Sequence, residues 1–570
     1  MLVVTLLQMI VPILVTIMFS YYNWSDKKKV TSLSILFVIL FLIKLCFTYF
    51  TLPSRVPLNL LISNLVLGLV MVLLALIIFD QLSDVRPIIR ITNKRIKQLI
   101  MIGFSVIVLL LLISVAETNL VKKPVYNSLK VEKKASAPKL SKTESPIAIA
   151  PKTVRNRMNK AMSTVGNASF YELGDLQTQF YQGKPVYIAP VEYSGLFQAI
   201  GAKTLPGYFI ISATDINAEP KFINKSMNYS DSSILNHDAA RRMYNAFPTW
   251  IHTGDPQFEV DDNGTPYYVQ TVYHTRNISS RINYDSLHVV LMNAQNGDCQ
   301  LYKTNEAPKF LDETIDSATA RDMIDVYAKD RYGLFNFSNR GKMEVPGTGT
   351  EDGLTPVFSK DGHIYYFTDY TSPNSKADST MGYSMLNARN GKITFYTGKN
   401  VGVMDSEGAK ELADKEYLAQ KWTSSMPIMY NIDGTPTWVI SLLDSTGSFR
   451  SYAYINAEDQ SIKSYAQTAN EALDGYRQQL SNRGTNPEST NKDQAKEYSG
   501  TIDRLVIFPH DKYNTVNFTL SGSNIMYTIT SDTYNKATVM KSGDQIKFSA
   551  NVDSQRGIGN VVNLQDDNLK

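Results

Sequence analysis

Apolar and polar positions follow two different patterns along this chain. Within the first 120 residues, four apolar runs of roughly 20 residues are long enough to cross a hydrocarbon layer about 30 Å thick. These runs cover residues 2–20, 33–50, 58–79 and 99–116. The first run has neither the basic segment nor the small-residue cleavage site of a secretory signal, so we expect it to remain as a membrane span. The pattern predicts four transmembrane helices within residues 1–117.

The Lys and Arg residues of the short loops predict the orientation of these helices. The loops after the first and third runs together carry eight basic residues, whereas the loop after the second run carries only Arg55. The lysines that follow the fourth run argue for the opposite orientation. The larger count favours a multi-pass protein of the plasma membrane, with its N-terminus and its large C-terminal part outside the cytoplasm.

Residues 118–152 have no sustained apolar period and are rich in Lys, Pro, Ala and Ser. Such a segment buries too little apolar surface to fold alone, so we interpret it as a solvated stalk. Its alternative role is contact with anionic lipid headgroups or an anionic wall polymer. The candidate contacts are Lys122, Lys123, Lys130, Lys133 and Lys134.

Beyond residue 152, apolar and polar positions alternate with the two-residue period of strands, and one order of elements recurs four times. Each copy opens with a Gly turn that leads into an aromatic strand, and closes with an apolar strand that ends at Ala before a second turn. The turns contain Gly183, Gly264, Gly362 and Gly434, and the closing residues are Ala213, Ala294, Ala388 and Ala457. Apolar residues spaced three to four apart predict helices between the copies. The chain is thus expected to form four α+β modules at residues 153–230, 231–311, 312–404 and 405–480.

The sequence Asn-Ala-x-x-Gly closes two of these copies, at residues 293–297 and 387–391. Together with the helix-plus-sheet pattern, this motif resembles PepSY-type modules. That resemblance implies extracytoplasmic domains of envelope proteins, several of which bind or restrain other proteins. Four spans followed by a long ectodomain are also similar to envelope proteins of Gram-positive bacteria and their mobile elements, a likeness that implies no activity.

After a second linker at residues 481–497, five short strands follow within residues 498–570. Their order and the Gly-Asp-Gln-Ile-Lys-Phe stretch before a closing strand resemble an OB-type β-barrel. OB barrels often bind oligonucleotides or sugars. Seven basic and seven acidic residues are present from Tyr498 to Lys570, so we expect no basic groove for a phosphate backbone.

Motifs of known chemistry give no positive signal. The net charge is +4, the two cysteines (Cys46 and Cys299) offer no disulfide within the soluble part, and the six histidines show no close ligand spacing. Nucleophile elbows and phosphate loops are missing, so no enzyme activity, cofactor or metal is expected. His252 with Asp255 is as well explained by loop polarity as by a site. Transport is not expected either, because we find no broken helix and only Lys44 as an ionisable residue in the spans.

Repeated modules that stack along a chain would form an extended surface for a partner. Tyr pairs on strands place one ring outward, which suits protein interfaces, and the candidate surface residues are Tyr267, Tyr268, Tyr365, Tyr366 and Trp438. We therefore expect a non-catalytic scaffold or regulator that holds another envelope protein or wall component. The alternatives are a ligand sensor or envelope enzyme with a site between modules and, if the topology is inverted, a cytoplasmic-facing nucleic-acid-binding protein.

Overall fold

The first part of the fold is a set of apolar helices. The computed structural model describes residues 1–22, 24–53, 55–81, 93–135, 148–201, 204–276, 281–373, 379–397, 403–482, 495–509, 514–531, 534–553 and 557–566. The N-terminal helices are α1 (Leu2–Leu7), α2 (Ile10–Tyr22), α3 (Lys27–Thr51), α4 (Pro57–Gln81) and α5 (Asn93–Leu120). Within the described residues, three of them, α3, α4 and α5, are long and apolar enough to cross a membrane.

The first predicted span is broken into α1 and α2, so our expectation that no span is broken is wrong. Pro12 has no N–H to continue the helical ladder. Asn64 of α4 takes over at the break, where its Nδ2 donates to the Leu7 carbonyl at 2.6 Å and its Oδ1 accepts from the Val11 N–H at 3.1 Å. Polar side chains on neighbouring helices can satisfy backbone groups in this way.

Four units, each made of a helix and an antiparallel sheet, form the middle of the chain. Unit 1 contains α7 (Pro151–Ala161), β2 (Tyr171–Leu173), β3 (Gln177–Tyr181), β4 (Lys184–Tyr193), α8 (Leu196–Gly201), β5 (Leu205–Ser212) and β6 (Lys221–Met227). Unit 2 contains α9 (Ala239–Ala246), β7 (Ile251–His252), β8 (Gln257–Val260), β9 (Pro266–Tyr273), β10 (His288–Asn293) and β11 (Cys299–Lys303). In both sheets the edge strand is interrupted, so two short strands pair with the same long one.

Units 3 and 4 repeat this order. Unit 3 contains α10 (Ser317–Lys329), β12 (Thr355–Phe358), β13 (Ile364–Thr371), β14 (Thr380–Asn387) and β15 (Ile393–Tyr396). Unit 4 contains α11 (Ser406–Glu416), β16 (Thr423–Ile432), β17 (Thr435–Leu443), β18 (Phe449–Asn456), β19 (Lys463–Ala466) and a second helix, α12 (Ala469–Asn482). The four strands of each sheet are neighbours in chain order.

One backbone pairing occurs in all four units. The Ala that ends the third strand position donates its N–H to the carbonyl of the residue two positions after the Gly turn, as Ala388 does to Ile364 at 3.0 Å. Its own carbonyl accepts an N–H from the segment that precedes the unit's helix, as Ala388 does from Ile315 at 3.0 Å. The equivalent alanines are Ala213, Ala294 and Ala457. Because backbone lies against this position, a small side chain is required there.

The Asn before this Ala fixes the following turn. Asn387 Oδ1 accepts from the N–H groups of Arg389 and Asn390 at 2.9 and 3.1 Å, and Gly391 then adopts a φ of +69°. Asx turns of this kind are typical of Asn, and the left-handed conformation favours Gly. The motif Asn-Ala-x-x-Gly therefore encodes one turn and one close backbone approach.

The units are packed as a closed group rather than an extended array. Residues of α7 contact unit 4, where Thr153 Oγ1 donates to the Gly447 carbonyl at 2.8 Å. Met426 and Leu443 of unit 4 share a core with the sheet of unit 1. Our expectation of modules stacked along a line is thus wrong, because the apolar outer faces of units 1 and 4 cover each other.

Residues 122–134 are folded, which corrects the prediction of a solvated stalk over residues 118–152. Helix α5 continues to Leu120, α6 (Lys122–Ser128) follows at once, and β1 (Val131–Lys134) joins the sheet of unit 3 in parallel with β15. Val125 is buried in the core of unit 3, and the rings of Tyr126 and Tyr327 are stacked. The few apolar residues of this segment fold because they complete another unit's core. Residues 136–147 lie outside the described residues.

The last element is a closed five-stranded barrel. Its strands are β20 (Lys496–Pro509), β21 (Asn514–Leu520), β22 (Met526–Thr530), β23 (Gln545–Asp553) and β24 (Ile558–Asp566). The order around the barrel is β20-β21-β22-β24-β23, and β22 and β24 are parallel. Phe518, Tyr527 and Phe548 fill its core. The barrel begins two residues before the boundary that we predicted at residue 498.

The loop between α3 and α4 is joined to α9 of unit 2. Arg241 lies 4.0 Å from the ring centroid of Tyr49 and donates to the Tyr49 carbonyl at 3.1 Å. Arg55 lies 4.1 Å from the ring centroid of Tyr244, whose hydroxyl donates to the Pro53 carbonyl at 2.9 Å. The apolar helices and the four units are therefore in direct contact.

Candidate functional site

A cleft of about 490 Å³ lies where units 1, 2 and 3 meet. Its walls come from the end of β4, the segment before α9, the turn between β7 and β8, and the start of α10. Its carboxyl groups belong to Glu172, Asp175, Glu192, Asp231, Asp255, Asp316 and Asp352. None of the described residues that line it is Lys, Arg or His. The cleft, which we name the acidic cleft, therefore concentrates negative potential in a concave surface.

Glu192 stands at the back of the acidic cleft and is almost fully buried. The Tyr268 hydroxyl donates to its Oε1 at 2.6 Å, and the Ser232 N–H and hydroxyl donate to its Oε2. Burial raises the pKa of Glu192, and these donors oppose that rise by stabilising the ionised form. Its carboxyl group ties β4 of unit 1 to the segment that leads into unit 2.

Asp231 shows how strongly the carboxyl groups act on one another. Desolvation by the surrounding protein raises its pKa well above the usual range, and the charges of Glu192, Asp238 and Asp255 raise it further. Repulsion of this kind disfavours the ionised form of each carboxyl group until a positive charge enters.

The start of α10 forms the third wall. Asp316 caps this helix by accepting from the Thr319 N–H at 2.6 Å, and it also accepts a hydrogen bond from the Thr253 hydroxyl of unit 2. Ser317 donates to Asp352 Oδ2 at 2.5 Å. These bonds fix the carboxylates of unit 3 at the edge of the cleft, so the site is held by ordered elements.

A second group of carboxyls, buried beneath the acidic cleft, joins the same three units. Glu259 accepts from the N–H groups of Asp312 and Glu313 at 3.1 and 3.2 Å, and Asp312 accepts from the Phe180 N–H at 2.5 Å. Glu313 accepts from Gln177 at 2.8 Å and from Tyr366 at 2.6 Å. We name Glu259, Asp312 and Glu313 the buried triad.

Burial and mutual repulsion perturb the whole buried triad. The pKa of Asp312 and that of Glu313 are each raised to about 7, chiefly by burial. Burial, together with the charges of these two neighbours, raises the pKa of Glu259 well above its usual range. Protonation near neutral pH therefore changes the charge at the junction of the units.

The described residues contain no group of three or more His, Cys, Asp or Glu side chains arranged to hold a metal ion. Of the pair that the sequence offered as a weak candidate, Asp255 lines the acidic cleft, whereas His252 is bound at Nδ1 to Gln270 at 2.8 Å. Both residues also line a smaller cavity of about 340 Å³ beside the α3–α4 loop, together with Arg55 and Tyr244. Burial lowers the pKa of His252 and favours its neutral form.

Three of the predicted partner-surface residues are core residues, which corrects that prediction. Tyr268, Tyr366 and Trp438 are almost completely buried, and Trp438 Nε1 donates to the Met404 carbonyl at 2.9 Å. Strand alternation predicted that one ring of each Tyr pair would point away from the unit's own helix. Other parts of the protein cover that face of the sheet as well, so a ring that points away from the helix does not face solvent.

The other two tyrosines are half-buried. Tyr267 packs its ring against Phe310, with centroids 5.1 Å apart, and Tyr365 donates its hydroxyl to Asp361 at 2.7 Å. Neighbouring residues thus cover part of both rings. They offer a partner much less surface than the alternation pattern predicted.

The predicted lysine contacts lie on the folded segment after α5. Lys123, Lys130, Lys133 and Lys134 are exposed, and Lys122 is half-buried. Lys134 pairs with Glu132 at 3.7 Å. These lysines therefore belong to an ordered segment that directly follows the apolar helix α5.

The acidic residues of the cleft escaped the sequence analysis because they come from short polar stretches far apart in the chain. Asp231 lies in Ser-Asp-Ser-Ser, Asp255 in Thr-Gly-Asp-Pro, and Asp316 at a helix N-terminus. Each stretch has a local explanation as a turn or a cap. Asp231 and Asp316 share a position between a strand and the next unit's helix, which is a signal that could have grouped these two, whereas Asp255 lies between two strands of unit 2.

Comparisons with known proteins identify no relative. No family model matches this sequence, and no curated protein matches it. A solved structure of a BT0996–RGII complex has a TM-score of 0.18 and 9% identity, over 70% of this protein and 90% of that one. The GH43_1 enzyme from Xanthomonas citri has a TM-score of 0.13 and 9% identity, over 70% of this protein and 87% of that one. We infer neither fold nor activity from similarities this low.

Proposed function

We propose that four apolar segments cross the plasma membrane and that the four units lie outside the cytoplasm. The N-terminus, the α3–α4 loop and the end of α5 all contact the four units, which supports an even number of membrane crossings between them. The Met1 amino group donates to Asn245 at 3.1 Å, the α3–α4 loop holds α9, and α5 leads directly into unit 3. The two loops rich in Lys and Arg would then face the cytoplasm, as such loops usually do.

Cysteine labelling tests this topology. Burial raises the pKa of Cys299 to about 11, so this thiol reacts slowly at neutral pH and is a poor reporter. We would use Lys415→Cys, an exposed site on α11, in a Cys46→Ala, Cys299→Ser background. Labelling by a membrane-impermeant maleimide on intact protoplasts is expected. Protection until lysis would invert the topology.

We propose further that the protein is a non-catalytic scaffold or regulator that binds another envelope protein through a positively charged segment. The supporting observation is the acidic cleft, where seven carboxyl groups line about 490 Å³ and only Asp175, at the rim, has an arginine partner among the described residues, Arg155 at 3.3 Å. Complementary charge guides encounter and selects partners. The same charge disfavours an anionic wall polymer or a nucleic acid as the occupant of this cleft.

Binding of a fluorescent hexalysine peptide to the full-length protein, held in nanodiscs of zwitterionic lipid, tests this proposal. The double variant Asp231→Asn, Asp255→Asn should bind about tenfold more weakly, which corresponds to about 1.4 kcal/mol. The matched control is Glu411→Gln, Glu471→Gln, which removes two exposed carboxyls of unit 4. Equal affinity for both double variants would show that the peptide responds to net charge alone.

A ligand sensor is the second candidate function, because the volume of the acidic cleft also lies in the range of small-molecule sites. Its ligand would be a small polycation. Spermine should then raise the unfolding temperature in a saturable manner, and the Asp231→Asn, Asp255→Asn variant should lose that response. A response to hexalysine without one to spermine would favour the scaffold.

For the architecture, we propose PepSY-like relationships for the four units and an OB-type barrel at the C-terminus. The first proposal is supported by the order of one helix followed by a four-position antiparallel sheet in every unit. The second is supported by the five-stranded closed barrel with its parallel β22–β24 pair. Neither relationship supplies a catalytic role.

A further inference from the structure

The segment that follows α10 exposes two large aromatic rings. Phe335 and Phe337 are 79% and 83% exposed, the highest values among the described phenylalanines outside the apolar helices apart from Phe197. Their centroids are 6.4 Å apart. We name residues 331–342 the aromatic loop. Two adjacent exposed rings on one loop are unusual on a surface that faces only water.

The aromatic loop is ordered by its own hydrogen bonds. Asn336 Oδ1 accepts from the Arg340 N–H and its Nδ2 donates to the Arg340 carbonyl, both at 2.9 Å. Gly341 adopts a φ of +63° and lies against the Tyr332 ring, where a Cβ would approach a ring atom to 2.8 Å. The exposure of the two rings is therefore a property of a fixed conformation.

The loop lies beside the end of the last membrane helix. Gly333 packs on Lys123, since a Cβ at Gly333 would be 3.1 Å from the Lys123 Cβ. Lys123 is three residues beyond Leu120, where α5 ends. The stacked rings of Tyr126 and Tyr327 hold α6 against α10, from which the loop emerges. The loop is thus placed at the level where the chain leaves the hydrocarbon.

The charge of the loop suits an anionic surface. Arg331, Arg340 and Lys342 are its charged residues, and it contains no Asp or Glu. Both arginines lie 5.3 Å from the Tyr332 ring centroid, one on each side of the aromatic pair in sequence. Lys123 adds a positive charge next to it, whereas Lys122 faces Asp330, the residue that precedes the loop. Basic groups around apolar rings are typical of segments that rest in a lipid interface.

We propose that the aromatic loop inserts Phe335 and Phe337 into the interface of the bilayer that α5 crosses. In this arrangement Arg331, Arg340 and Lys342 contact headgroup phosphates. The loop then supports unit 3 on the membrane and fixes the direction in which the acidic cleft faces. The occupant is the bilayer because the loop continues the surface of a membrane helix and its charge complements anionic headgroups.

Site-directed spin labelling in nanodiscs tests this contact on the full-length protein. We would label Phe337→Cys in the Cys46→Ala, Cys299→Ser background, with phosphatidylglycerol as a third of the lipid. The control is Leu418→Cys, a 74%-exposed apolar residue of unit 4. At position 337, relaxation by oxygen should exceed relaxation by a water-soluble nickel chelate by about threefold relative to position 418. Equal ratios at the two positions would overturn the proposal.

Lipid composition provides a second readout. Replacing phosphatidylglycerol by phosphatidylcholine should reduce the contrast between positions 337 and 418, because the basic residues lose their anionic partners. The variant Arg340→Gln, Lys342→Gln should give the same reduction in anionic lipid without a change in unfolding temperature. A contrast that persists in the variant and in neutral lipid would assign the contact to the rings alone and contradict the headgroup part of the proposal.

Discussion

At the scale of single residues, Ala388 shows how one small side chain permits a repeated backbone contact. Its N–H and carbonyl both bind other segments of unit 3, and its Cβ is completely buried. Ala388→Val is expected to lower the free energy of unfolding by about 2 kcal/mol, because added methyl groups force these segments apart. Chemical denaturation of the full-length protein measures the change. Ala318→Val, at an exposed site of α10, is the control and should cost less than about 1 kcal/mol.

The sequence patterns predicted where turns form better than they predicted which side chains are exposed to solvent. The Asn-Ala-x-x-Gly motif identified a turn because Asn capping and a left-handed Gly are local properties. The exposure of Tyr268 and Tyr366 depended on a second layer of protein, about which strand alternation carries no information. Such residues can be assigned to a face from the sequence, whereas what covers that face follows only from the tertiary structure.

At the scale of elements, a carboxyl group joins unit 3 to the helix of unit 4. Asp369 of β13 accepts from the N–H and the hydroxyl of Ser406, both at 2.8 Å, at the start of α11. Thr271 of β9 holds the same position after its Gly turn and accepts from the Asp316 N–H at 3.0 Å. The hydroxyl of the equivalent Ser441 in unit 4, which no further unit follows, has no hydrogen-bond partner among the described residues.

This junction predicts a pH dependence. Burial raises the pKa of Asp369 to about 6, so its contribution to stability is present below the unfolded pKa of about 4 and is lost as pH rises through 6. Raising the pH from 4.5 to 7.5 should therefore lower the free energy of unfolding by about 2 kcal/mol through this group. Asp369→Asn should remove that part of the dependence, whereas Glu407→Gln, which is exposed on α11, should leave it unchanged. Parallel denaturation series at both pH values make the comparison.

Elements were predictable where they fold on their own pattern. Helices α9, α10 and α11 lie within the segments between the copies whose spacing predicted them, whereas α12 was not predicted. The segment from Lys122 to Lys134 was not predicted to fold, because its apolar residues are few and find their partners in unit 3. The break between α1 and α2 likewise depends on Asn64, which is more than 50 residues away.

At the scale of the whole molecule, the buried triad makes the junction of units 1, 2 and 3 sensitive to pH. The pKa of Asp312 and that of Glu313 are raised to about 7, so their contribution is present below about pH 4 and is lost as pH rises through 7. Amide exchange in β3 and β8, corrected for intrinsic rates, should therefore be at least about tenfold faster at pH 8 than at pH 6, because each carboxyl with a pKa of about 7 that loses its proton over this range contributes about a factor of ten. The amides of β21 are the internal control.

A variant that replaces one carboxyl group by a neutral amide tests whether the buried triad causes this pH dependence. Glu313→Gln removes one of the two carboxyl groups that titrate near pH 7, at nearly constant volume, and should reduce the difference in exchange between the two pH values. An unchanged difference would place the pH response outside the triad. The acidic cleft could not be predicted from the sequence. Its carboxyl groups are far apart in the chain, and only the packing of three units brings them together.

The contact of Arg55 with Tyr244 also has a consequence for biosynthesis. The two residues are 189 positions apart, so a ribosome that adds about 5–20 residues per second needs roughly 10–40 s to supply the partner. During that interval the hairpin of α3 and α4 is already in the membrane, while Arg55 in its loop has not yet found its partner Tyr244. The membrane region therefore reaches its final structure only after unit 2 has been translated. A nascent chain arrested before residue 244 should expose the α3–α4 loop to proteases that the finished protein resists.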